Sequence, residues 1–232
     1  ISITSFYGSH IINCAGNGGM VCFNNKKKYL KAKLLRSWGR SSSLFDEKSE
    51  AIENRFNVDL NGIEYDAKFV FETVGYNLEG NEVGASFGLA QLKKLNKNII
   101  TRQENFKKQC DFFNKYKEYF SNPEETYGIN TAWLAFPILI NEDAPFSRKE
   151  FQIYLEERNI QTRVVFTGNI TKQPMCENIE LKKSKNGFPN SDAVMERGVL
   201  LPLHHGMTNE MFERLHATIE TFIKNKTENI KK

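Results

Sequence analysis

His10 stands five positions after Ser5 in the run Ser5-Phe6-Tyr7-Gly8-Ser9-His10, just ahead of the glycine-bearing segment Ala15-Gly16-Asn17-Gly18-Gly19. An imidazole exchanges protons near neutral pH and can serve as a general base, and glycines let a backbone approach a ligand closely. A single histidine beside a turn serves structure as readily, so the residues alone leave both roles open. Cys14, Cys22, Cys110 and Cys176 are separated by 8, 88 and 66 positions, which matches neither a zinc-ligand spacing nor a dense disulfide framework. No metal site is expected, and a reducing cytoplasm is the expected setting.

These residues need elements to hold them. Met20-Val21-Cys22-Phe23, closed by Asn24-Asn25, predicts a strand meeting a turn. The following basic run, Lys26 to Arg40, repeats Leu30, Leu34 and Trp38 every four residues and predicts an amphipathic helix with a solvated cationic face. Ser41 to Asn61 is polar and pattern-poor, an excursion with at most a short helix. Asn81 is placed to cap a long helix whose stripe is Ala85, Leu92, Ile99, Phe106, Phe113 and Phe120, with a break expected at Asn96-Lys97-Asn98. Beyond it, Ala132 to Ile140 predicts a buried strand, and Ser147 with Glu150 predicts a capping box. A strand over 161–167, a helix from Asn190 or Ser191, a strand at Val199-Leu200-Leu201 and a final helix with Met211, Leu215, Ile219, Phe222 and Ile223 complete a small α/β layer. The expected division is 1–105 and 106–232, with a polar tail, NKTENIKK, at the end.

With 40% hydrophobic residues and 18 Phe among 232 residues, the chain has ample material for a core, which excludes intrinsic disorder. The mean hydropathy is −0.52 and no apolar run approaches the ~18 residues of a membrane span. The opening residues have no basic n-region or apolar h-region of a signal peptide, and the chain reads as beginning inside a longer protein. Net charge is only +4, from 32 basic and 28 acidic residues with the signs mixed.

Four segments together carry a resemblance: SFYGSH with NGGMVCFNN, LRSWGR at 35–40, VGYNLEGNEVGASFGLAQLKKL at 74–95 and TRVVFTGNITKQP at 162–174. They resemble the DegT/DnrJ/StrS family of vitamin B6-dependent sugar enzymes. The resemblance implies an α/β, fold-type I architecture: the C-terminal part of the large cofactor domain followed by the small C-terminal domain. In most of the family a lysine five residues after the Ser-Phe serine bonds covalently to pyridoxal phosphate, and here that position is His10. The resemblance therefore implies that the cofactor binds as the free amine, pyridoxamine phosphate, with His10 as catalyst. The branch with this exchange removes the C3 hydroxyl of nucleotide-linked 4-keto-6-deoxy sugars, an amino acid such as glutamate restoring the amine. Iron–sulfur members of that branch carry Cys-x-Cys after Trp-Gly-Arg. Ser41-Ser42-Ser43 stand here instead, so the resemblance is closer to the cluster-free members acting on GDP-4-keto-6-deoxymannose.

The same resemblance implies that Ser5 binds the cofactor phosphate, that Asn77 reaches the phosphate of the neighbouring subunit in a homodimer, and that Arg163, Asn169 and Gln173 border the sugar. Asn17 departs from the family's usual glutamate, and the aspartate and aromatic that hold the pyridine ring are implied upstream of Ile1. Two alternatives stand beside it. A sugar aminotransferase needs a lysine where His10 is. A basic nucleic-acid-binding module needs exposed aromatics among its cations, whereas here the aromatics fall on apolar faces. Neither nucleic acid nor membrane is an expected partner.

Overall fold

The computed structural model describes residues 1–46, 51–182 and 184–228, in two compact units, Ile1–Leu95 and Asn96–Lys232. Part of the 41–61 excursion and the end of the polar tail lie outside the described residues.

In the first unit, β1 (Ser2–Ser5) pairs antiparallel with β2 (Gly19–Cys22), Ser5 facing Gly19. Helix α1 (Lys26–Arg36) begins where the Asn25 side chain accepts the Lys28 N–H at 3.0 Å. It ends before Trp38, which takes a left-handed φ of +58°, so the expected Leu30–Leu34–Trp38 stripe is broken at its last member. The excursion holds a 3-10 turn (Ser41–Leu44), helix α2 (Ile52–Arg55) and a two-residue ribbon, β3 (Val58–Asp59) with β4 (Glu64–Tyr65). Asn61 and Gly62, both at positive φ, close that ribbon in the turn its twist demands. The Arg55 guanidinium forks onto Asp66 and holds its carboxyl down at about 2.

Asn81 caps α3 (Glu82–Leu92), accepting the Gly84 N–H at 2.6 Å. The buried line of α3 is Gly84 and Gly88, not the expected Ala85 and Leu92, because the helix lies against the hairpin loop on its bare side. A Cβ on Gly88 would stand 2.7 Å from Cys14 Sγ. Ala67 is the one buried apolar residue described in this unit, while Ile3, Phe71, Val74 and Leu89 are more than half exposed.

Lys93-Lys94 separates α3 from α4 (Leu95–Phe113), slightly ahead of the expected break. Phe106 and Phe113 of the predicted stripe are buried on α4, but Phe120 belongs to a strand, β5 (Phe120–Ser121). The second unit is built on an antiparallel sheet of order β5-β6-β8-β7, with β6 at Phe136–Ile140, β7 at Arg163–Val164 and β8 at Gly198–Leu201. Phe136, Ile138 and Ile140 alternate inward, facing Leu201, Val199 and Phe120 across the ladders. Helix α5 (Arg148–Glu156) forms with the expected Ser147/Glu150 capping box. Helices α6 (Pro189–Arg197) and α7 (Asn209–Glu228) follow. Phe151, Leu155, Leu215, Ile219 and Phe222 join the sheet in one continuous core. Each fully buried side chain of this kind contributes about 1.5–3 kcal/mol. No helix among the described residues is long and apolar enough to cross a membrane.

Candidate active site

The loop joining β1 to β2 is narrowed by backbone bonds that extend the ladder: Phe6 N–H to Gly18 O at 2.9 Å, Gly8 N–H to Gly16 O at 2.9 Å and Cys14 N–H to Phe6 O at 3.0 Å. Gly18 sits at φ +153°, with Cys14 and Phe6 occupying the space a side chain would need. Within this frame His10 closes a turn through its N–H to Tyr7 O at 2.9 Å. Its ring Nδ1 lies 3.1 Å from the Ser5 carbonyl oxygen, and the Tyr7 ring meets it edge-on at 6.0 Å. The structure thus brings Ser5, Tyr7 and His10 together.

A carbonyl oxygen only accepts, so in the neutral ring the proton belongs on Nδ1 and the lone pair on Nε2. The Ser5 hydroxyl oxygen accepts the Tyr7 N–H at 3.3 Å, which leaves its own hydrogen available to an outside acceptor. Thr4 and Phe6, on the other side of the strand from Ser5, line a 960 Å³ cavity with Leu89 and Leu92.

Asn77 is exposed on a separate segment, bridged antiparallel to Ser37. Ser5 and Asn77 offer neutral O–H and N–H donors of the type that receive a phosphate, so their chemistry fits a phosphorylated cofactor.

In the second unit, Arg163 is exposed on β7 beside a surface groove shared with Arg148 and Gln152. Asn169 is buried and its amide is engaged within the protein. Its oxygen accepts from the Thr171 N–H at 3.0 Å and the Thr171 hydroxyl at 2.7 Å, and its nitrogen donates to Asp192 at 2.7 Å. Lys172, 2.8 Å from Asp192, and that Asn169 bond lower the Asp192 carboxyl below its usual range. Gln173 donates to Thr167 O at 3.2 Å. Asn169 and Gln173 therefore share one loop and organise its course. Sequence reasoning missed Asp192 as the partner of Asn169, since nothing local links positions 23 residues apart.

All four cysteines are free thiols, and no group of three His, Cys, Asp or Glu side chains among the described residues could hold a metal. At the Ser41–Ser43 turn the Ser41 hydroxyl bonds Ala67 O at 2.9 Å and the Ser43 hydroxyl bonds Arg40 O at 2.8 Å.

The fold has known counterparts. A solved structure of Escherichia coli GDP-4-keto-6-deoxy-D-mannose-3-dehydratase with bound hydrated PLP matches this chain with a TM-score of 0.76 at 23% identity, over 93% of this chain and 53% of that one. The architecture is that of the fold-type I pyridoxal-phosphate-dependent enzymes. Within that class, the chain belongs to the DegT/DnrJ/EryC1/StrS aminotransferase family, whose profile matches residues 1–220. It is 30% identical over 225 residues to dTDP-4-dehydro-2,6-dideoxy-D-glucose 3-dehydratase of Saccharopolyspora spinosa, covering 96% of this chain and 48% of the relative. It is also 26% identical over 230 residues to dTDP-4-amino-4,6-dideoxy-D-glucose transaminase of Escherichia coli, covering 92% and 59%. The chain spans about half the length of the curated relatives it matches.

Proposed function

We propose that this chain carries the general base of a pyridoxamine-phosphate-dependent enzyme that removes the C3 hydroxyl of a nucleotide-linked 4-keto-6-deoxy sugar. The observation that carries this reading is His10, in the place of the family's lysine, with Nδ1 turned to the Ser5 carbonyl at 3.1 Å. When bound, the cofactor supplies an amine for the C4 ketone and an electron sink for negative charge at its C4′ carbon.

His10 Nε2 takes a proton from that C4′ carbon. The resulting imidazolium, a donor at both nitrogens, can return the proton to the departing C3 oxygen. Ser5 binds the phosphate through its hydroxyl, and Asn77 reaches the phosphate of the second subunit of a homodimer. Arg163 borders the sugar nucleotide as an exposed cation, while Asn169 and Gln173, occupied within their loop, set the shape of the sugar's border. Water would hydrolyse the C4–nitrogen bond, releasing ammonia and the 3-deoxy-4-keto sugar, and transamination from an amino acid such as glutamate would restore the cofactor's amine, the amino acid leaving as its 2-oxo acid. The reading assigns no iron–sulfur cluster, since serines occupy 41–43 and their resolved hydroxyl bonds go to backbone carbonyls. A cytoplasmic setting suits the free thiols.

A sugar aminotransferase is the second reading, favoured by the transaminase relative. Ammonia release separates the two. Given the sugar nucleotide and glutamate, the complete protein should release one ammonia per 3-deoxy-4-keto sugar formed. A 4-amino sugar accumulating without ammonia would overturn the dehydratase reading.

A further inference from the structure

Asn77 stands in a segment strapped down on both sides. Its neighbours bond the end of α1: Tyr76 N–H to Leu35 O at 2.7 Å, Leu78 N–H to Arg36 O at 2.9 Å and Trp38 N–H to Tyr76 O at 2.8 Å. Two of these bonds satisfy carbonyls that the last turn of a helix leaves without intrahelical partners. The two strands of chain cross so closely that side chains are excluded. A Cβ on Gly39, at φ +80°, would stand 1.8 Å from Thr73 O, and one on Gly75 would stand 2.2 Å from Gly39 N. Trp38 itself holds a left-handed backbone, a costly state for a bulky residue that persists only where its surroundings enforce it.

Glu79 closes this arrangement. One carboxylate oxygen accepts the hydroxyl of Ser37, which is 3% exposed, and the other pairs with Arg36 Nε at 3.2 Å. The segment is therefore pinned by backbone bonds at Tyr76 and Leu78 and by a side-chain clasp one residue beyond. Asn77 remains exposed between the pins with its backbone fixed.

We infer that Glu79, through its clasp on Ser37 and Arg36, is a positioning residue that holds Asn77 in place for a cofactor phosphate. The inference rests on the proposed phosphate role of Asn77. Pre-organisation of this kind removes the ordering cost of the ligand side chain at binding. Arg36 also offsets the negative charge of Glu79, which would otherwise oppose a phosphate nearby.

The test measures the affinity of the complete protein for pyridoxamine phosphate and for pyridoxamine, which lacks the phosphate, and takes the ratio of the two. Asn77→Ala should lower the phosphate preference roughly tenfold, as expected for loss of a hydrogen bond to a charged group. Glu79→Ala should lower it by a similar factor while affinity for pyridoxamine stays within about twofold. The double variant should lose no more than either single one, since both act through the same contact. Ser37→Ala, which deletes only the hydroxyl, should reproduce part of the effect, so the test does not depend on one variant folding. Glu79→Gln, which keeps an acceptor for Ser37, should recover part of the preference. If Asn77→Ala leaves the ratio unchanged, the phosphate role of Asn77 fails and this inference falls with it. If Asn77→Ala lowers the ratio and Glu79→Ala does not, or if Glu79→Ala weakens both ligands equally, the inference alone is overturned.

Discussion

Replacing His10 by Asn separates the bond its ring makes to Ser5 from the proton transfer proposed for it. The Asn Nδ2 lies the same number of bonds from Cβ as the His Nδ1, so it can still donate to the Ser5 carbonyl now 3.1 Å away and keep the turn that begins at Tyr7. What disappears is Nε2, the nitrogen with the lone pair. A positioned general base contributes about 10²- to 10⁴-fold in rate, or about 3–5 kcal/mol in barrier height at ~1.4 kcal/mol per decade. The hydrogen bond to Ser5 is exposed and neutral, and losing it would cost only about 0.5–1.5 kcal/mol. A structural histidine would therefore show at most a roughly tenfold effect, well below the catalytic one. In the complete protein, His10→Asn should bind pyridoxamine phosphate as the wild type does while ammonia release falls by at least about a hundredfold. The direct assay is incorporation of solvent deuterium at the cofactor's C4′ carbon. Exchange at the wild-type rate in His10→Asn would refute the assignment of His10 as the base.

Two further outcomes follow from the second unit. Phe151 is fully buried, its ring 5.4 Å from Phe120 and 5.3 Å from Phe222, so Phe151→Ala should cost about 3–5 kcal/mol. Urea unfolding followed by Trp133 fluorescence in a Trp38→Phe background measures it, and a loss below about 1 kcal/mol would contradict the packing described. His216 stacks on Phe112 at 3.9 Å and is bonded to Gln109, and burial pushes its imidazole down to about 4. Because the folded value lies below the unfolded 6.5, the unfolded chain binds more protons between them. This contribution is complete above pH 6.5 and is lost as pH falls toward 4. His216→Gln should flatten the fall in melting temperature between about pH 6.5 and 5, and an unchanged slope would count against the burial argument.

Elements with local causes were legible in the residues. Asn81 caps α3 and Ser147 with Glu150 caps α5, because a side-chain acceptor three residues from an unpaired N–H acts within its own turn. The apolar run from Ala132 to Ile140 likewise announced a buried strand, which forms over its last five residues, Phe136–Ile140. Strand β1, with three polar residues in four, and the two-residue strands β5 and β7 exist through pairing with segments farther along the chain, and Phe120 left its helical stripe for that reason, whereas β3 and β4 pair with each other across the Asn61-Gly62 turn. Trp38 left its helix because the chain from Thr73 to Gly75 crosses there, which no four-residue spacing encodes. In the candidate site, the order of residues placed a histidine five positions after Ser5 and so determined which side chain could replace a lysine. Only the tertiary structure decided which nitrogen of that ring keeps the lone pair when the ring is neutral, because the proton follows the acceptor that the folded loop sets against Nδ1.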